Sequence, residues 1–332
     1  MSWLEVKIRT GPDGAEALED LLLAAGAVSV TLTDAEDQPL FEPPPGETPL
    51  WQALVLTGLF PQDSDPQQLW LTLAKTWAPA TLPPLQFSTL PDQDWVRAWL
   101  DDFKPLCFGR RLWVCPSWWL ADDSAAANTS LWQPPKADAS AWKERNQALL
   151  QAMQKSGTAI LRLDPGLAFG TGTHPTTSLC LQWLDDQTLQ GQVLADYGCG
   201  SGILGIAALL LGAATVYGVD NDPQALVASA DNLQKNQLPP SRLPLFLPAD
   251  YAAARTTGSI GQLDGLLANI LAGTLIELAP LLAPQVRPGG WVLLSGILRE
   301  QAEAVMAAWR PWYGKLAVAT EGDWVRISGI RL

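Results

Sequence analysis

Histidine is nearly missing from this chain. His174 is the only one in 332 residues, so a histidine-rich metal cluster or a Ser/His/Asp triad would have to rest on one imidazole. Cysteine is scarce as well: Cys107, Cys115, Cys180 and Cys199 show no C-x-x-C spacing and no short regular framework. That argues against a zinc ribbon or a disulfide scaffold and favours buried reduced thiols. No apolar run approaches the roughly 18 residues of a membrane span. The start, Met1-Ser2-Trp3-Leu4-Glu5-Val6-Lys7, lacks the basic and apolar regions of a secretory signal. A cytoplasmic location without membrane contact is expected. Positive charge is also short, with 21 Lys and Arg against 34 Asp and Glu and a net charge of −13. This is the wrong sign for holding a phosphate backbone by counterion release, so no direct nucleic-acid partner is expected. An acidic surface instead draws in basic partners, which suits a lysine-rich protein.

A length of 332 residues exceeds one ordinary hydrophobic core and predicts two domains. Over residues 1–91, Leu4, Val6 and Ile8 alternate as in a half-buried strand. Ala15 to Ala25 has helical composition and ends at Gly26, and Val28, Val30 and Leu32 alternate again. After Pro43-Pro44-Pro45-Gly46 come an apolar run from Leu50 to Phe60, a helix from Pro66 to Trp77 and an extended piece near Leu85 to Leu90. The pattern β-α-β-β-α-β predicts a ferredoxin-like α+β module that binds or positions rather than catalyses. A linker follows over 92–106, read as an amphipathic helix with Trp95 and Trp99 on one face. From about 121 to 156 the composition shifts to Ala, Asp, Ser, Pro and Gln, as in a surface insertion with a helix over Ser140 to Lys155.

The rest of the second domain, 107–332, alternates strands and helices. Strands are expected at Val193 to Tyr197, Thr215 to Val219, Leu243 to Leu247, Leu263 to Asn269 and Trp291 to Ser295. Helices are expected near Ile203 to Leu211, Pro223 to Asn236, Gly273 to Ala283 and Glu300 to Trp309. That order is α/β, a doubly wound, Rossmann-like parallel sheet. A terminal hairpin, Lys315 to Thr320 and Trp324 to Ile330 around Glu321-Gly322-Asp323, brings the count to the seven strands of a class I methyltransferase sheet.

Chemistry concentrates in three segments. Asp196-Tyr197-Gly198-Cys199-Gly200-Ser201-Gly202 follows a strand and opens a helix. Its glycines admit close backbone approach to a cofactor, and the helix N-terminus offers unpaired N–H groups. Gly200, Gly202 and Gly205 also satisfy G-x-G-x-x-G, so a dinucleotide is the competing ligand. Asp196 separates the two: its charge repels a pyrophosphate but accepts hydrogen bonds from the ammonium of S-adenosylmethionine. Asp220, about 20 residues on at the end of the next strand, is placed for ribose hydroxyls in either case. A tight turn with no ligand is the bland alternative. The second segment, Asp164 to Thr177, is a glycine-threonine loop feeding a helix, with Thr173 or His174 at the cap and Pro175 in the first turn. It lacks the Gly-Lys-Ser/Thr ending of a phosphate loop, and it is read as a lid over the cofactor rather than an ordinary loop. The third, Asn269-Ile270-Leu271-Ala272, ends the fourth strand, where an open parallel sheet places its ligand crevice. An Asn there supplies an acceptor to a nucleophilic nitrogen, unless it only caps the next helix. A lysine with pKa near 10.4 stands about 3.4 pH units above neutrality, on the order of 4.6 kcal/mol that the site must offset. Aliphatic Ile270 and Leu271 cannot stack a flipped base, which favours an amine substrate. Asn269, with Thr173 and His174 beside it, is the expected catalytic set.

With these residues assembled, the chain resembles the bacterial PrmA family, methyltransferases of large-subunit ribosomal protein eleven. The resemblance runs from the Trp3 strand through Phe41-Glu42-Pro43 and Gly109-Arg110-Arg111-Leu112-Trp113 to Trp324-Val325-Arg326-Ile327. It is most specific over Leu163 to Leu184, Asp196 to Ile203 and Ala268 to Gly273. It implies a ferredoxin-like substrate-recognition domain, a helical linker and a class I methyltransferase domain. The implied reaction is methylation of lysine ε-amino and N-terminal α-amino groups with S-adenosylmethionine. Thr177, Gly198, Asp220 and Asn269 are carried over as cofactor contacts, beside Asp196, Gly200 and Gly202 from the glycine turn. The insertion is longer than the family pattern. A basic ribosomal protein is the expected partner and a monomer the expected state. The competing readings are methylation of another protein or a small amine, an NAD-dependent dehydrogenase, and a non-catalytic module that binds S-adenosylmethionine.

Overall fold

Alternating burial along Trp3–Thr10 (β1), with Leu4, Val6 and Ile8 inward and Glu5 and Lys7 outward, sets one face of a sheet. The computed structural model describes residues 2–36, 38, 50–77, 82–90, 104–119, 147, 151–153, 157–164 and 174–332. The chain divides into two compact units, Met1–Ala98 and Trp99–Leu332.

In the first unit, β1 is joined by Ser29–Asp34 (β2), Leu54–Pro61 (β3) and Leu85–Leu90 (β4) in the antiparallel order β2-β3-β1-β4. Helices Pro12–Ala24 (α1) and Pro66–Thr76 (α2) cross between strands and bury Leu18, Leu22, Leu69 and Leu73 against Val6, Ile8, Leu54 and Leu56. Asp65 caps α2 by accepting the Gln67 N–H at 2.8 Å, with Pro66 in the first turn. This is the ferredoxin-like arrangement that the alternation predicts. Of the expected linker helix over 92–106 only 104–106 are described, and there Leu106 already opens a strand.

The second unit carries a seven-stranded sheet: Val193–Tyr197 (β8), Thr215–Val219 (β9), Leu245–Phe246 (β10), Leu263–Asn269 (β11), Val286–Leu298 (β12), Tyr313–Glu321 (β13) and Trp324–Arg331 (β14). Their order is β10-β9-β8-β11-β12-β14-β13, parallel except for the closing hairpin. Pro175–Asp186 (α3), Ile203–Leu210 (α4) and Pro223–Lys235 (α5) pack on one face through Leu181, Leu184, Ile206 and Leu233. Pro248–Thr256 (α6), Ala272–Leu282 (α7) and Ala302–Trp309 (α8) pack on the other through Tyr251, Leu275, Leu282 and Trp309. Both faces of the central strands are thereby buried, which is why they read as near-continuous apolar runs.

Three findings differ from the sequence expectations. The strand expected over Leu243 to Leu247 shrinks to two residues: Pro244 has no N–H for a ladder, and Pro248 starts α6. The strand expected at Trp291 to Ser295 extends over Val286–Leu298, because it pairs with β11 on one side and β14 on the other. A separate sheet, Leu106–Phe108 (β5), Leu112–Cys115 (β6) and Ala159–Arg162 (β7), was not foreseen, since β6 and β7 pair across the insertion. Most of the insertion, 120–146, lies outside the described residues; Gln147 and 151–153, within its expected helix, are helical.

A buried carboxylate fixes α3 to that small sheet. Asp185 accepts N–H bonds from Arg110 at 2.6 Å, Arg111 at 3.0 Å and Leu112 at 2.9 Å. The opposite end of α3 reaches the crevice.

Candidate active site

The crevice opens at the carboxyl ends of β8, β9 and β11, where the strand order reverses between β8 and β11. Gly198, Gly200 and Gly202 all have positive φ (78°, 54° and 77°), a conformation that side chains other than glycine rarely adopt. Gly202 is the N-cap of α4. The turn is braced from three sides. Asp220 accepts the Gly200 N–H at 2.8 Å and the Asp222 N–H at 3.0 Å. Ser229 and Asn232, on the inner face of α5, donate to the Gly200 and Ser201 carbonyls, each at 2.9 Å. Asp196 accepts the Gly205 N–H at 2.9 Å. Ser229 and Asn232 were missed in the sequence; their trace is two polar residues at i, i+3 on the buried face of an amphipathic helix.

Asp196 is 1% exposed and its Oδ1 has no hydrogen-bond partner among the described residues. Burial pushes its carboxyl up to about 7; the Gly205 N–H opposes this and the Asp220 charge adds to it. Burial likewise pushes the Cys180 thiol up to about 12 and raises that of Cys199, so both are neutral at pH 7 and unsuited to nucleophilic work. Among the described residues no group of three or more His, Cys, Asp or Glu side chains is arranged to hold a metal.

Asn269 ends β11 on the same face as Leu267, which pairs with Asp196. The following helix, α7, is capped by Leu271 without a side-chain bond, so Asn269 is not a helix cap. Its Nδ2 donates to the Thr177 hydroxyl at 3.4 Å, and its Oδ1 is buried without a partner among the described residues. Thr177, fully buried, stands in the first turn of α3. His174 is the N-cap of that helix: its Nδ1 lies 2.8 Å from the Thr176 hydroxyl and accepts the Thr176 N–H at 3.3 Å, and its ring meets Trp324 edge-on. Burial lowers its pKa, so the imidazole is neutral at pH 7. Thr173, with the rest of the loop over 165–173, lies outside the described residues. The fold thus brings together Thr177, Asp196, Gly198, Gly200, Gly202, Asp220 and Asn269, with His174 at the rim as a cap.

The model of the family described as ribosomal protein L11 methyltransferase (PrmA) matches residues 2–133 and 120–331. The chain belongs to this family. Ribosomal protein L11 methyltransferase of Azotobacter vinelandii is 50% identical over 332 residues, covering 100% of both chains. That of Marinobacter nauticus is 48% identical over 334 residues, covering 100% of this chain and 99% of its own. A crystal structure of ribosomal protein L11 methylase from Lactobacillus delbrueckii subsp. bulgaricus superimposes with a TM-score of 0.51 at 27% identity, over 69% of this chain and 99% of that one. The seven-stranded sheet is that of a class I, Rossmann-like methyltransferase, and the methyl donor of the family is S-adenosylmethionine. The residues present fit this donor: the buried Asp196 Oδ1 lacks a donor among the described residues, and S-adenosylmethionine carries an ammonium.

Proposed function

We infer that this protein methylates ribosomal protein L11, at lysine ε-amino groups and at the N-terminal α-amino group. Family membership and full-length likeness to proteins of that name support the substrate. The observation that carries the amine chemistry is the buried Asn269 Oδ1 at the sheet's carboxyl edge, without a partner among the described residues, with Thr177 holding the other end of the amide.

The assignments follow from chemistry. Asp220, its carboxylate held by two backbone donors, receives ribose hydroxyls; Asp196 receives the ammonium; Gly198, Gly200 and Gly202 let the backbone approach. When bound, S-adenosylmethionine supplies an electrophilic methyl group on its sulfonium. Asn269 Oδ1 accepts an N–H of the entering neutral amine and orients its lone pair, while burial disfavours the ammonium form. Thr177 keeps the amide from rotating. His174 acts on the site through the cap that starts α3. The acidic chain favours encounter with a basic protein, and the first unit, a sheet and two helices without catalytic constellations, is the substrate-recognition module.

The test is incubation with methyl-labelled S-adenosylmethionine and unmethylated L11, followed by mass spectrometry of the peptides. Label on lysine side chains and on the N-terminal amine is expected. Unlabelled L11, with label on a nucleic acid or a small amine, overturns the reading.

A further inference from the structure

Two glycines, one in the glycine turn and one in β12, close on Ile270, and the amine-side machinery described above does not otherwise use them. A methyl group at Gly198, in the glycine turn, would collide with Ile270 Cγ2. A methyl group at Gly296, in β12, would collide with the Ile270 carbonyl oxygen and lie 2.8 Å from its carbon and 3.1 Å from its nitrogen. One glycine therefore meets the Ile270 side chain and the other its backbone. Both have positive φ, 78° and 81°.

The second contact has a cause in the sheet. Asn269 pairs with Ser295 in the parallel ladder of β11 and β12, which puts Gly296 level with Ile270. Toward β14 the register shifts: Leu294 faces Ile327 and Ile297 faces Val325, so Ser295 and Gly296 together oppose Arg326. This is a β-bulge of one extra residue. In a regular strand the position would carry a side chain and keep its ordinary backbone. The bulge gives Gly296 a left-handed backbone and brings its bare Cα against the Ile270 peptide. Bulges beside active sites re-aim a neighbouring group, and the group here is the residue joined to Asn269.

We propose that Gly296, at the β12 bulge, and Gly198 grip Ile270 and thereby fix the direction of the Asn269 amide, with Gly296 as a positioning residue for methyl acceptance. This rests on the amine reading of Asn269. The grip explains how a side chain with only one hydrogen bond among the described residues, to Thr177, keeps a defined orientation while its oxygen stays unpaired. It also separates the two glycines by role: Gly198 belongs to the cofactor turn, whereas Gly296 lies beyond β11 from that turn.

The test is Gly296→Ala, followed by cooperative melting, S-adenosylmethionine affinity by calorimetry and L11 methylation kinetics. Displacement of the acceptor by about 1 Å is expected to lower kcat on the order of 100-fold, with cofactor affinity changed less than about threefold. In the Asn269→Ala background the same change should cost less than about threefold, since the group it positions is gone. A folded Gly296→Ala protein with kcat near wild type overturns the proposal, as does parallel loss of cofactor affinity and kcat, or full additivity with Asn269→Ala. If Gly296→Ala does not fold, Ile270→Gly decides, because it removes the side chain that Gly198 meets and frees the backbone that Gly296 presses on: loss of kcat with intact cofactor affinity supports the grip, and unchanged kcat removes it. Wild-type protein inactive on L11 in the same assay would sink the substrate reading instead.

Discussion

The two sides of the crevice are held by different physics. The glycine turn is fixed by directed hydrogen bonds, accepted by Asp196 and Asp220 and donated by Ser229 and Asn232. At the Asn269 corner, Ile270 lies against two glycines, and the Asn269 side chain has one hydrogen bond among the described residues, to Thr177. On the proposed reading, the turn can be preformed because its ligand is the same in every cycle, whereas the Asn269 corner keeps an acceptor free for a nitrogen that arrives on another macromolecule, and steric restraint would achieve this without spending the acceptor.

The sharpest way to break this contrast is to remove one polar group from each side. Asp220→Ala is expected to abolish measurable S-adenosylmethionine binding while thermal melting stays cooperative; Asn269→Ala is expected to leave that binding within about threefold and lower kcat by on the order of 10²- to 10³-fold. Equal effects on both measurements in both variants would show that the sides are not separable.

The next effect is a pH dependence confined to the turn. The Asp196 carboxyl is raised to about 7 by burial, so its contribution to stability is complete below the ordinary carboxylate range. That contribution is lost as pH rises through about 7. A bound ammonium favours the ionised form and reverses the preference. Cofactor affinity should therefore rise between pH 6 and 8, with proton release on binding near pH 7, read as a buffer-dependent calorimetric enthalpy. Asp196→Asn should remove the proton release. Identical enthalpies in buffers of different ionisation heat would rule the linkage out.

The smallest change tests redundancy in the bracing. Ser229→Ala removes one donor to the Gly200 carbonyl and should lower stability by about 1 kcal/mol with little change in kcat, measured by chemical denaturation and turnover. A loss of cofactor binding as large as that of Asp220→Ala would mean that the turn depends on a single strut.

The cofactor side was legible in the sequence because its elements are local. Asp196 and the glycines lie within one strand-to-helix turn, and Asp220 follows one helix later, so spacing alone aligns them. The central strands from Val193 to Asn269 were readable as apolar runs for the same reason, apart from β10, which prolines cut short. Asn269 was visible as a candidate, with a helix-capping role as the bland alternative. Only Leu271 at the cap and Thr177 across the crevice separate the two.

By itself, then, the sequence determined the ferredoxin-like module, the doubly wound sheet, the glycine turn with its two acids and the family. All but the last are written in periodicity or short-range spacing; the family rests on the resemblance of whole segments such as Asp196 to Ile203 and Ala268 to Gly273. Tertiary structure alone decided that Asp196 is buried and raised toward neutrality, that α5 supplies struts to the turn, and that β6 and β7 pair across the insertion. It alone decided, too, that a bulge at Gly296 meets Ile270. These depend on which residues distant in the chain become neighbours, and local periodicity does not encode that.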